Sequence, residues 1–236
     1  MASSKIQVWD LPLRIFHWVL VFTILAAYIT GELGGLLTDW HGRLGGLALG
    51  LLIFRLIWGF IGGTHARFKN FFPTTSKIKT YVKGHWNEFG HNPLGALSVF
   101  ALLASLATLV CTGLFANDDI GFNGPLVNLI DKSQSDWLTG LHGLAFNALL
   151  TLVIFHITAI AFYFFFKKKN LVKPMITGYQ EISTETNRKV NRGGIFKFII
   201  ATAIASLIVW AIFDGEVIKL ISPLQNTITN VSTPNW

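Results

Sequence analysis

Residues 137–166 read WLTGLHGLAFNALLTLVIFHITAIAFYFFF. The run is long and apolar enough to cross a bilayer as one helix, which needs about 20 predominantly apolar residues. It carries two histidines, His142 and His156, fourteen residues apart. At ~3.6 residues and ~5.4 Å per turn, that spacing is about four turns, or roughly 21 Å along the axis. Both imidazoles therefore lie on nearly one face, one towards each side of the membrane. A titratable side chain inside a membrane span is costly and marks a functional site by default. Two on one face at two depths read as two stacked sites.

Four further apolar runs flank this one, at about 15–29 (to 37 with its glycines), 40–61, 93–116 and 194–213. The first is preceded by KIQVWDLPLRIFHW. Its charged, tryptophan-containing lead and the histidine at the start of the apolar run argue against a cleaved signal peptide. The expected fold is an all-α membrane protein: a four-helix transmembrane bundle plus a fifth, C-terminal transmembrane helix. The chain divides into a bundle over 1–180 and, over 181–236, a cytoplasmic linker, the fifth helix and an external tail.

Composition agrees: 52% of the residues are hydrophobic and 13% charged, about half the charged share of a soluble domain. The single cysteine, Cys111, sits in an apolar run and reads as a small core residue. One cysteine excludes a disulfide framework, a cysteine-based iron–sulfur site and a C-x-x-C-H haem attachment. A net charge of +7 raises the question of nucleic acid, but its distribution speaks for membrane topology instead. Loop 62–92 holds Arg67, Lys69, Lys77, Lys79 and Lys83, and the stretch after the fourth span holds Lys167, Lys168, Lys169, Lys173, Arg188, Lys189 and Arg192. The opposite side has Arg43, Lys132 and Lys219 among eight acidic residues, including Asp118 and Asp119. The excess of Lys and Arg places the N-terminus and these two loops in the cytoplasm. Five spans then put the C-terminus outside.

This orientation pairs the histidines by depth. His17 lies at the cytoplasmic end of the first span and His41 at the external end of the second. In the fourth span His142 is external and His156 is nearer the cytoplasm. Depth matches His17 with His156 and His41 with His142. Neutral imidazole is a good axial ligand, so each pair is read as clamping a b-type haem iron from both faces, held by coordination rather than thioether bonds. With both axial positions filled, electron transfer is favoured over oxygen chemistry. A single intramembrane histidine can equally hydrogen-bond a serine or a carbonyl between helices. A histidine-based transporter without haem could use the same four residues, but it would be expected to carry intramembrane carboxylates, and the centres of the first four spans have none.

Other residues support these sites, each with a plainer alternative. Gly42, Gly45, Gly46 and Gly50 in the second span allow close helix packing or admit a flat macrocycle beside His41. Arg55, fourteen residues after His41, either snorkels to the surface or pairs with a propionate of the inner haem. Arg14, three residues before His17, is a second propionate candidate or an ordinary positive-inside charge. His85 reads as solvated. His91, in GHNPLG at the mouth of the third span, can line a haem edge or quinone pocket, or with Asn92 simply cap the helix ahead of Pro93.

Five segments then carry a resemblance: VWDLPLRIFHW, WHGRLGGLALGLLIFRLIWGFIGGTHARF, GHNPLG, LHGLAF with LVIFHI, and NLVKPMITG. In order and spacing, over about residues 6–180, they resemble the bacterial cytochrome b561 family, which includes the b-type cytochrome subunits of nickel–iron hydrogenases. The resemblance implies a four-helix membrane core holding two b haems, with axial ligands at His17, His41, His142 and His156. It also implies a bacterial inner-membrane location and electron exchange between the quinone pool and a partner. HARF and GHNP look closer to the branch encoded beside c-type cytochromes, so a periplasmic c-type cytochrome is the expected partner. A membrane anchor for a hydrogenase or another periplasmic dehydrogenase is the alternative. The acidic external side suits a basic soluble partner and would speed their encounter. His91, Asn92, Arg55 and His65 place the quinone at the cytoplasmic end, beside the His17–His156 pair.

The charge pattern has a direct test. A cysteine introduced near Asn123 should react with an impermeant thiol reagent added outside intact cells, and one near Lys79 should not. The reverse labelling would overturn the orientation and exchange the two haem sides.

Overall fold

The computed structural model describes residues 4–86, 90–182 and 191–219. Among the described residues five helices are long and apolar enough to cross a membrane: α1 (Leu11–Leu33), α2 (Thr38–Ile61), α5 (Pro93–Gly113), α6 (Lys132–Phe165) and α8 (Ile195–Phe213). Among the described residues three short α-helices lie between them: α3 (Phe68–Phe71), α4 (Thr75–Val82) and α7 (Val172–Thr177). The chain is an all-α membrane protein, as its long apolar runs lead one to expect. Residues 183–190 of the linker and 220–236 of the tail fall outside the described residues.

Local chemistry sets the helix ends. Asp10 caps α1 by accepting the Leu13 N–H at 3.0 Å, with Pro12 in the first turn. Asn92 does the same for α5 through Gly95 N–H at 2.7 Å, ahead of Pro93. Asp131 and Gln134 form a reciprocal capping box that starts α6 five residues before the apolar run. At 34 residues, α6 is about 51 Å long, so it rises beyond a hydrocarbon core of about 30 Å. A φ of +57° at Gly34 stops α1 where a side chain would be strained.

Antiparallel packing follows. α1 lies along α2 and α5 along α6, and α2 also meets α5 and α8. The core sits around α2, where Leu49, Leu52, Phe54 and Trp58 are buried. Large apolar side chains on the outer faces, such as Phe22, Phe155 and Leu207, are exposed, as suits lipid contact. Cys111 is also exposed, which corrects its reading as a core residue: in a membrane helix an apolar run marks the lipid face as readily as the interior.

The fifth helix has a structural role that its sequence did not reveal. A Cβ at Gly46 would stand 2.9 Å from the Phe213 ring, and one at Gly50 3.4 Å from Val209. Ala201 and Ala205 of α8 are buried, and Phe198 packs on Phe54 and Trp58. Gly46 and Gly50 therefore serve close packing against α8. Gly45, four residues after His41, faces open space.

One small sheet was not expected. β1 (Ser4–Gln7) pairs antiparallel with β2 (Tyr179–Ile182), with Ile6 opposite Gln180. Gly178, at φ +88°, ends α7, and its carbonyl accepts the Val8 and Trp9 N–H groups at 2.9 and 3.2 Å. Arg14 and Trp18 hold the same segment through the carbonyls of Ile176 and Met175.

Asp10 joins these parts. Besides capping α1, its buried carboxyl accepts Trp58 Nε1–H at 3.1 Å and Gly63 N–H at 3.1 Å. Burial pushes this carboxyl above its ordinary range, while the three donors and nearby Arg55 pull it back. Gly63 has no room for a side chain: a Cβ would lie 2.3 Å from Asp10 Oδ2. Asp10→Ala should lower stability by about 2–4 kcal/mol, through the lost cap and two stranded buried donors, read as a lower melting temperature in detergent. Unchanged melting would show that the three donors find other partners.

Candidate functional site

The four histidines line the interior between the α1–α2 and α5–α6 hairpins, at two levels. At one level His41 (α2) and His142 (α6) face each other with ring centroids 6.1 Å apart and planes 82° apart. Each ring is fixed by a carbonyl of its own hairpin. His41 Nδ1 lies 2.8 Å from Ala27 O of α1, and His142 Nδ1 lies 2.8 Å from Leu109 O of α5, with Thr112 Oγ1 at 3.3 Å. A carbonyl oxygen only accepts, so Nδ1 carries the proton on both rings and Nε2 keeps its lone pair. Such bonding orients a histidine ligand and raises its basicity.

Two glycines make room for these rings. A Cβ at Gly31 would stand 2.9 Å from His41 Nδ1, and one at Gly113 would stand 2.9 Å from His142 Cε1. Phe122, from the loop before α6, seats its ring on Gly42, where a Cβ would meet it at 2.8 Å.

At the other level His17 (α1) and His156 (α6) are close enough to interact electrostatically. His17 Nδ1 is buried with no hydrogen-bond partner among the described residues. His91 stands nearby between the rings of Trp9 and Phe71, at 4.5 and 4.4 Å between centroids. Its Nδ1 is likewise buried and unpartnered. Burial first, then Arg55, His65 and His156, push the His91 imidazole down to about 3, so it is neutral near pH 7.

Arg55 is 2% exposed and does not snorkel. Its Nη1 donates to Ala66 O at 3.2 Å and its guanidinium lies 4.5 Å from the Phe68 ring centre. Arg14 turns to Ile176 O, with its Nε buried and without a hydrogen-bond partner among the described residues. His85 is exposed, as a solvated loop residue should be.

Two further polar residues join Asn92 at this end: Asn92 Nδ2 donates to the Tyr163 hydroxyl at 2.9 Å, and that hydroxyl meets the hydroxyl of Tyr81. Neither tyrosine stands out in the sequence, although Tyr163 follows His156 by seven residues, a spacing that returns to the same helix face.

The donor set suits a macrocycle better than a bare ion. Among the described residues no cluster of three or more His, Cys, Asp or Glu side chains is placed to hold a metal. The histidines come in facing pairs instead, which supply two axial ligands to a metal whose other ligands come from a planar ring. With metal–nitrogen bonds of about 2 Å, two imidazoles on opposite sides of one metal have ring centres roughly 6 Å apart. His41 and His142 stand at that separation.

Residues 8–178 match the family model of prokaryotic cytochrome b561. The probable Ni/Fe-hydrogenase B-type cytochrome subunits of Azotobacter chroococcum mcd 1 and Azotobacter vinelandii are each 25% identical over 221 residues, covering 75% of this chain and 89% of theirs. That of Rhizobium leguminosarum bv. viciae is 25% identical over 215 residues, covering 75% and 90%. No solved structure matches the chain.

Proposed function

Because the chain belongs to the prokaryotic cytochrome b561 family, matched over residues 8–178, and is a multi-pass membrane b-type cytochrome, we propose that it carries electrons across the membrane between the quinone pool and a redox partner outside. The observation that carries this reading is the His41–His142 pair, with rings 6.1 Å apart and each Nδ1 fixed by a backbone carbonyl.

On this reading His41 and His142 hold one b haem and His17 and His156 hold a second. A b haem with two axial histidines supplies reversible one-electron transfer. The protein's part is to fix the ligand rings, exclude water and set the charge around each site. Ala27 O and Leu109 O do the first at one level. At the other, Arg14 and Arg55 place positive charge within the bundle; Arg55 commits one N–H to Ala66 O, leaving donors for a haem propionate. The location is the bacterial inner membrane, with the N-terminus cytoplasmic and the C-terminus periplasmic.

The quinone is placed at the His17–His156 level, where neutral His91 faces an apolar surround of Trp9 and Phe71. A quinone site needs an apolar slot with a few polar groups to bond its carbonyls. The outside partner is read as a periplasmic c-type cytochrome, from the HARF and GHNP segments. The names of the relatives favour a second reading, in which the chain is the cytochrome b subunit that anchors a hydrogenase. The genes beside this one separate the two.

Two experiments test the proposal. Purified protein should show a reduced b-type spectrum with about two haems per chain, and His41→Ala should keep the His17–His156 haem and so lose about half the haem. A folded variant without any haem would refute independent sites. His91→Ala should keep both haems but accept electrons slowly from a quinol analogue. Unchanged quinol kinetics, with quinone bound at the opposite end, would move the quinone to the His41–His142 level.

A further inference from the structure

We propose that Tyr163 and Tyr81 form a proton relay between the cytoplasmic solvent and the quinone; this rests on the quinone reading above. Tyr163 lies about two turns, roughly 10 Å, beyond His156 on the same face of α6, so it sits at the mouth of the proposed quinone end. Its hydroxyl touches that of Tyr81 and accepts Asn92 Nδ2–H at 2.9 Å. The Asn92 amide is held in this sense because its Oδ1 accepts Gly95 N–H at 2.7 Å. Asn92 adjoins His91 in the chain, and His91 Nδ1 is buried without a hydrogen-bond partner among the described residues.

A tyrosine hydroxyl both donates and accepts, so two in contact pass a proton by a shift along O–H···O without either becoming charged. Tyr81 stands on α4, whose neighbouring Lys79 and Thr80 are exposed and which packs against α5. The pair thus links a surface helix to the interior face of α6. Two phenylalanines would join α4 to α6 by packing alone, without placing hydroxyls that must find partners once half-buried.

The reaction served is quinol → quinone + 2 H+ + 2 e−. Both quinol O–H bonds break, the two electrons pass one at a time to two molecules of the one-electron acceptor outside, and the two protons leave through Tyr163 and Tyr81 to the cytoplasm. In the opposite direction the same hydroxyls deliver the two protons that quinone takes up.

The test uses full-length, haem-loaded protein in nanodiscs. Tyr163→Phe should keep the b-type spectrum, its reduction rate with dithionite and the Kd for an unreactive quinone analogue. Its reduction by quinol should slow at least about tenfold, a modest share of the roughly 10²–10⁴-fold that positioned proton transfer supplies, and its solvent deuterium isotope effect should rise. If Tyr163→Phe loses haem, Tyr81→Phe carries the same measurements from the surface helix. Wild-type quinol kinetics in the variant would overturn the relay and leave the quinone reading standing. Slowing with weaker analogue binding and an unchanged isotope effect would also overturn it, making Tyr163 a wall of the site. A wild-type protein that takes no electrons from quinol would overturn the quinone reading, and the relay with it.

Discussion

The Asp10 carboxyl is the constraint on which the bundle's geometry rests. It receives N–H bonds from the start of α1, from Trp58 near the end of α2 and from Gly63 beyond it. This fixes the two helices to each other at one end, and His41 Nδ1 bonded to Ala27 O fixes them again nearer the other. The α5–α6 hairpin has the same arrangement, with Asn92 on Tyr163 at one end and His142 on Leu109 O towards the other. Interhelical hydrogen bonds in membranes average only about 0.6 kcal/mol. Their value here is positional: each removes the freedom of one helix to slide or rotate, and two of the four use the histidines themselves.

Much of this was legible in the sequence because the bilayer limits the choices. The hydrocarbon core requires helices of a set length, so the apolar runs located all five spans, with boundaries shifted by a few residues where Asp10 and Asp131 cap earlier than the apolar run begins. The fourteen-residue spacing of His142 and His156 fixed a shared face. What brings His41 to His142 did not need a sequence signal beyond depth. The atoms that hold the rings did, and had none: Ala27 O and Leu109 O are backbone groups that any residue supplies. Gly31 and Gly113 carry meaning only once the rings are seen against them. The ribbon between Ser4–Gln7 and Tyr179–Ile182 was missed because four-residue strands far apart in sequence leave no periodicity to read. Cys111 was misread because hydropathy does not distinguish a core face from a lipid face.

The two ends of the bundle are built differently. The His41 and His142 rings are held by two backbone carbonyls and one threonine hydroxyl. Around His17 and His156 there are two arginines, a neutral histidine between aromatic rings, and a tyrosine pair tied to an asparagine. A site whose rings are held by backbone carbonyls suits exchange of electrons alone. A site with cations, uncommitted nitrogens and a path of hydroxyls suits a reaction in which protons move as well.

The histidine pairs also bear on how the bundle is held together. Each pair crosses from one hairpin to the other: His17 of α1 to His156 of α6, and His41 of α2 to His142 of α6. Direct packing between the hairpins runs through α2 and α5, whereas α1 and α6 are not close packing partners and meet at the stacked rings of Tyr28 and Phe146, 5.4 Å apart. On the proposed reading, a group ligated by each pair bridges the side where helix-to-helix contact is sparse. Ligand binding to the assembled state alone stabilises it by mass action, as metal binding does where the site exists only in the folded chain. The α2–α5 contact keeps the hairpins together on one side; on the same proposed reading, ligation by the histidine pairs would complete the other, and the proposed ligands would also close the bundle.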